Sequence, residues 1–143
     1  MRNKILIFIM LSAAVISCKK SSPAPDPTII GFWKGKNSGN INTDTSTYIF
    51  SMAALIRNNG TVRIYFDPNS SRSLDTSSPV GTYEGAYLFN KNTGSFTATV
   101  ESTDKSSPTQ KCILIASNIS SSLNYIPGIA TFPRGSVSFY LKK

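Results

Sequence analysis

The chain contains no histidine, and only seven of its 143 residues are Asp or Glu. The first absence removes every His-dependent triad, His-ligated zinc and the usual general base at neutral pH. The second leaves few carboxylates for metal binding or acid–base chemistry. Cysteine is nearly absent too, with Cys18 and Cys112 alone. No Gly-rich phosphate loop leads from a strand into a helix. Beyond the first seventeen residues no stretch holds a 3.6-residue apolar period, and no apolar run there reaches the ~18 residues of a spanning helix. These absences argue against an enzyme, and no cofactor or metal is expected. The length fits one domain, since one core of this size is feasible and two are not.

What is present begins with a leader. Met1-Arg2-Asn3-Lys4 is a basic head, and Ile5 to Ile16 is apolar except for Ser12. That is the h-region of a secretory signal, too short to span a bilayer. Val15-Ile16-Ser17-Cys18 resembles the bacterial lipobox. The resemblance implies a lipoprotein signal peptide over 1–17, cleavage before Cys18, and lipidation of Cys18 on its sulfur and amino group with acyl chains of the palmitate kind. Several chains on one residue anchor stably, at ~0.8 kcal/mol per buried CH₂. The alternative is an ordinary signal peptide with an incidental cysteine.

Residues 18–28 read as the lipidated Cys and a Pro/Ser-rich linker. Lys19 and Lys20 suit anionic head groups, at about 1 kcal/mol each. Ser21-Ser22-Pro23-Ala24-Pro25-Asp26-Pro27 favours an extended spacer. Cys18-Lys19-Lys20-Ser21-Ser22 is similar to the start of many lipoproteins of Bacteroidetes-type bacteria. In that group an acidic run after the Cys tends to mark surface export. Asp26 stands alone, so the resemblance implies an outer-membrane protein facing the periplasm.

The formal net charge is +8. In residues 28–143 the lysines and arginines are scattered, with no cluster beyond Lys142-Lys143, whereas nucleic-acid binding shows a dense stripe or a known module. No nucleic-acid partner is expected. Once Cys18 carries lipid, Cys112 has no disulfide partner. It lies in an apolar run, Lys111 to Ala116, and reads as a core residue.

Residues 29–143 read as all-β. Apolar runs are short, Thr, Tyr, Phe and Ile are frequent, and Gly, Asn, Ser and Pro punctuate them. Ser95 to Glu101 alternates with Phe96, Ala98 and Val100 on one face. Ser136 to Lys142 alternates with Val137, Phe139 and Leu141 inward. Asn58-Asn59-Gly60 marks a tight hairpin. The predicted strands are 31–36, 46–57, 61–66, 80–88, 95–102, 111–117, 122–126 and 135–142. About eight strands in series predict a single up-and-down antiparallel barrel. Its connections alternate between the two ends. The long polar ones, 37–45, 67–79 and 103–110, then gather at one mouth, while 58–60 and 89–94 close the other end. The 67–79 loop holds one apolar residue, Leu74, and reads as a lid or a disordered segment.

Gly31-Phe32-Trp33 at the first strand resembles the Gly-x-Trp signature of lipocalins and related calycins. With Lys34-Gly35 it is similar to the start of small lipocalin-like lipoproteins of Bacteroidetes-type bacteria. Gly81-Thr82-Tyr83 and the ending from Gly135 to Lys143 continue the likeness. It implies that Gly31 lets the chain enter tightly and that Trp33 plugs the closed end. It also implies a basic residue from near the last strand over the Trp ring, a contact of ~0.5–2 kcal/mol. Arg134 is the candidate, although its loop falls at the mouth. Avidin-like barrels open similarly.

Alternation places Phe50, Met52, Ile64, Phe96, Val100, Leu114, Val137 and Phe139 in the lumen, with Tyr83 and Tyr87 beside them. An eight-stranded barrel is just wide enough to be filled or to hold one small ligand. Ligand binding, if it occurs, is assigned to Phe50, Met52, Ile64, Tyr83, Tyr87, Phe96 and Phe139, with the tyrosine hydroxyls orienting a polar end.

Catalytic pairings fail. Glu84 and Glu101 are the only glutamates, and Glu101 alternates toward solvent. Ser102-Thr103-Asp104-Lys105 spells Ser-x-x-Lys without its helix or companion motifs. Asp67-Pro68-Asn69 lacks the Gly and terminal Glu of a calcium loop. The expected function is a membrane-anchored, non-enzymatic binding lipoprotein of the bacterial envelope, a monomer, with a small hydrophobic ligand or lipid in the lumen. The alternative is a protein- or glycan-interaction or inhibitor module that uses the long loops at the mouth.

Overall fold

The computed structural model describes residues 28–39, 48–105, 110–119 and 123–143. The leader, Cys18, the linker up to residue 27 and part of three connections lie outside the described residues.

The described chain is all-β. The strands are β1 (Gly31–Gly39), β2 (Tyr48–Ile56), β3 (Thr61–Asp67), β4 (Gly81–Asn90), β5 (Ser95–Ser102), β6 (Lys111–Ala116), β7 (Tyr125–Phe132) and β8 (Gly135–Lys142). Each pairs antiparallel with the next, and β1 pairs with β8 to close the barrel. The reason is in the alternation. β5, β6 and β8 bury every second residue and expose the others. A period-two chain with one apolar face can hide that face inside a closed sheet, and closure removes the edges. The interior is one continuous core running from Ile29 and Trp33 to Phe139 and Leu141.

Closing the ring of eight strands bends them, and small residues stand where neighbours come closest. A Cβ on Gly35 would lie 1.7 Å from the Tyr140 carbonyl oxygen, and one on Gly85 1.9 Å from that of Thr99. At Gly128 a Cβ would lie 2.5 Å from both the Ile115 carbonyl oxygen and the ring of Phe139.

The seventh strand is a correction. It runs from Tyr125 to Phe132, not over 122–126. A proline in a central strand removes a ladder hydrogen bond, which makes Pro127 unusual inside β7. Here β6 ends at Ala116, opposite Gly128. Pro127 therefore stands where β7 pairs with β8 alone.

Candidate functional site

The two ends of the barrel are closed by different chemistry. At the end where β1 begins, the Trp33 side chain is fully buried, and its Nε1–H donates to the Ile29 carbonyl at 2.7 Å. Lys143 sets its ammonium 5.4 Å from the centre of the Trp33 ring and donates to the Thr28 carbonyl at 2.9 Å. The basic partner of Trp33 is thus Lys143, not Arg134. Arg134 sits in the β7–β8 turn at the opposite end, as the alternation of connections requires. Gly31, at φ +134°, turns the chain into β1 just before Trp33. Ile119 and Leu123, from the β6–β7 connection, complete the floor.

At the mouth, three rings meet edge-on. Phe66 lies 5.4 Å from Tyr83 and 5.6 Å from Phe132, and Tyr83 lies 6.2 Å from Phe132. β3 and β7 are on opposite sides of the ring of strands. The Phe66–Phe132 contact therefore spans the barrel. Edge-to-face aromatic pairs contribute ~0.5–1.5 kcal/mol each beyond their area.

Between the ends, Met52, Ile64, Phe96 and Phe139 are buried in the core, and Tyr83 and Tyr87 pack against it. Phe50 is half-buried on the same alternation as Met52. The hydroxyls assigned to a ligand are already engaged. Tyr83 donates to Gln110 Oε1 at 3.2 Å, and Tyr87 donates to the Arg57 carbonyl at 2.9 Å. Tyr87 also stacks on Phe96 at 5.7 Å. Burial pushes both phenols above their ordinary pKa, so they act as neutral donors. One interior polar atom stands out. Asn37 is 3% exposed, and its Oδ1 has no hydrogen-bond partner among the described residues. Its neighbours in register are Phe50 and Phe139. The sequence reading missed Asn37, Phe66 and Phe132. Asn37 is a polar residue at the inward parity of Trp33, and that was the available signal.

Cys112 is buried in β6, and desolvation pushes its thiol up to about 12. The nucleophile would be the thiolate, so native protein should resist alkylation at Cys112 at neutral pH. Peptide mapping after iodoacetamide treatment checks this. Modification is expected only after denaturant is added, and rapid native labelling would show that β6 opens.

The two glutamates face outward, directly opposite each other in register. Glu84 accepts from Arg63 at 2.9 Å and from Arg57 at 3.2 Å, while Glu101 pairs with Lys111 at 3.2 Å. The Arg63 hydrogen bond, with help from Arg57, holds the Glu84 carboxyl below the usual carboxylate range.

The outer wall carries a built feature that the sequence placed elsewhere. After Asp67 the chain does not cover the mouth. It folds as a strap against the outside of β1 and β2. Leu74 is 2% exposed and packs with Ala53 and Tyr65, which face outward. Asp67, itself buried, accepts from Arg72 at 2.8 Å and from the Asn69 amide at 2.8 Å. Ser51 Oγ donates to the Arg72 carbonyl at 2.7 Å. Between strap and wall lies a groove of about 270 Å³, lined by Lys34, Lys36, Ser51, Arg72, Ser73 and neighbours.

This architecture defines a closed, eight-stranded antiparallel barrel. Among solved structures, a redesigned β-barrel is similar to it, with a TM-score of 0.51 at 14% identity over 86% of this chain and 98% of that one. That likeness concerns the fold alone. No family model and no curated protein matches the chain.

Proposed function

We propose that this protein is a lipid-anchored, non-enzymatic binding module of the bacterial envelope, in which the barrel is a filled scaffold and recognition takes place on its outside. The observation that carries this reading is the Phe66–Phe132 contact across the mouth, opposite the Trp33 plug. The large side chains between them leave the outer wall and loops as the surface for a partner. Kinship with small lipocalin-like lipoproteins belongs to the same reading. Gly31-Phe32-Trp33 and the Lys143 ammonium over the Trp33 ring support it. Anchoring at Cys18, on the periplasmic face of the outer membrane, rests on the lipobox.

A second reading, a small hydrophobic ligand in the lumen, is favoured by the unpaired Asn37 Oδ1 between Phe50 and Phe139. A buried acceptor without a donor is costly, by about 1–3 kcal/mol, and a ligand hydroxyl or amide would supply one.

Native mass spectrometry of the protein purified from envelopes, before and after organic extraction, separates the two. The expected result is one mass, the chain plus covalent acyl groups, unchanged by extraction. A further mass that extraction removes would overturn the filled-scaffold reading in favour of a carrier.

A further inference from the structure

We infer that the groove between the strap and the outer wall of β1–β2 is a binding site for a phosphate group carried on a small polar molecule. This rests on the reading that recognition lies outside the barrel, and gives that surface a ligand class.

Three observations converge there. The first is charge. Lys34 and Lys36 alternate outward on β1 and line the groove with Arg72 of the strap. Lys34 also stands opposite Lys142 in the β1–β8 register. Like charges directly opposite on a sheet face are destabilising. The nearby acids only partly offset them. Asp67 is engaged by Arg72, and Asp75 is bound up with Ser77 and Ser78, although its field also reaches Lys34. Lys36 has no partner among the described residues. An anion between Lys34, Lys36 and Arg72 would relieve this excess.

The second observation is donor geometry. Arg72 uses Nη1 on Asp67 Oδ2, which fixes the guanidinium while its other N–H groups stay available. Ser70, Ser71 and Ser73 line the same space, and Lys34 Nζ reaches Ser73 Oγ at 3.5 Å. A tetrahedral phosphate has enough acceptor oxygens for such a set, and hydrogen bonds between charged partners are the strong ones.

The third is construction. The strap is fixed from beneath by buried Leu74, and along its length by the Asp67–Arg72 pair and the Ser51–Arg72 carbonyl bond. The groove is therefore held open by packed residues and does not depend on a loose loop. Its volume of about 270 Å³ suits a head group or a single sugar phosphate, below the ~300–1,000 Å³ of sites for larger ligands.

A phosphate of this kind comes from a soluble sugar phosphate or from a lipid head group. Calorimetric titration of the full-length protein with glucose 6-phosphate, and with dihexanoyl phosphatidic acid below its micelle concentration, distinguishes them. Saturable binding of at least one is expected, with no binding of glucose. The double variant Lys34→Gln/Lys36→Gln should weaken it roughly tenfold or more. Both lysines are exposed and stand in a local excess of positive charge, so the variant should unfold at or above the wild-type temperature. Lys91→Gln, in the β4–β5 turn at the plugged end, should leave binding unchanged. Tighter binding of the phosphatidic acid assigns a lipid head group, tighter binding of glucose 6-phosphate a sugar phosphate, and equal binding the phosphate itself. Absence of saturable binding, or equal binding by the double variant, overturns the site. A lumenal ligand found by mass would overturn the filled-scaffold reading and leave this titration to stand by itself.

Discussion

Gly35→Ala should be among the most damaging single-methyl additions in the molecule, lowering stability by about 3 kcal/mol or more. The added Cβ would fall 1.7 Å from the Tyr140 carbonyl oxygen, and the obstacle is backbone. A side chain can rotate away, whereas Tyr140 is held in register opposite Lys36 on the seam that closes the barrel. Relief requires β1 and β8 to part. Urea unfolding followed by circular dichroism checks this, with a midpoint drop at unchanged slope as the expected pattern. For a domain of this size the loss should lower the melting temperature by more than ~10 °C. Gly60→Ala is the contrasting control. No atom of the described residues lies within 4 Å of its Cβ position, but its φ is +80°. It should cost only about 1 kcal/mol, from left-handed backbone. Equal effects at the two positions would refute the close-approach account.

Trp33→Ala should cost about 3–5 kcal/mol, the range for removing a buried aromatic. Three losses combine: the buried ring, the donor to the Ile29 carbonyl and the surface beneath the Lys143 ammonium. Trp33→Phe separates them, because it keeps most of the apolar volume and strands the Ile29 carbonyl. It should fall between wild type and alanine. Trp33 is the single tryptophan of the chain, so its fluorescence reports the plug directly. Wild-type emission should be blue-shifted and move red only at the global unfolding transition. A red shift at lower denaturant would mean that the plugged end opens first.

Much of the barrel was legible because each strand carries its own signal. Alternation in Phe96-Ala98-Val100 and in Val137-Phe139-Leu141 fixes which face is inward, and the hairpin turns fix direction. Alternating ends then follow from topology alone, and they set the loop of Arg134 at the mouth, against its candidacy as the partner of Trp33. What was not legible depends on partners distant in sequence. Phe66 and Phe132 are ordinary inward residues until closure brings β3 and β7 face to face. Lys143 is one more terminal lysine until β8 lays it beside Trp33. Leu74 did stand out as the one apolar residue in a polar loop. Its destination depended on outward Ala53 and Tyr65, which a rule of apolar-inward alternation hides. The extent of β7 was hidden as well: a proline inside a central strand is disfavoured when it has two neighbours, and Pro127 has one.

The seam between β1 and β8 also sets the order in which the molecule can be completed. Its register joins Lys34 to Lys142, so the first strand made waits for the last. Until β8 is in place, β1 and β7 each present an unpaired edge, the surface on which chains join one another. Contacts of such wide sequence separation form slowly, on a scale of roughly milliseconds to seconds. A chain cut short before Gly135 would lose the residues that close the ring, and with them Lys143 over the plug. Aggregation of such truncated chains, rather than a smaller stable sheet, is the outcome this connectivity favours.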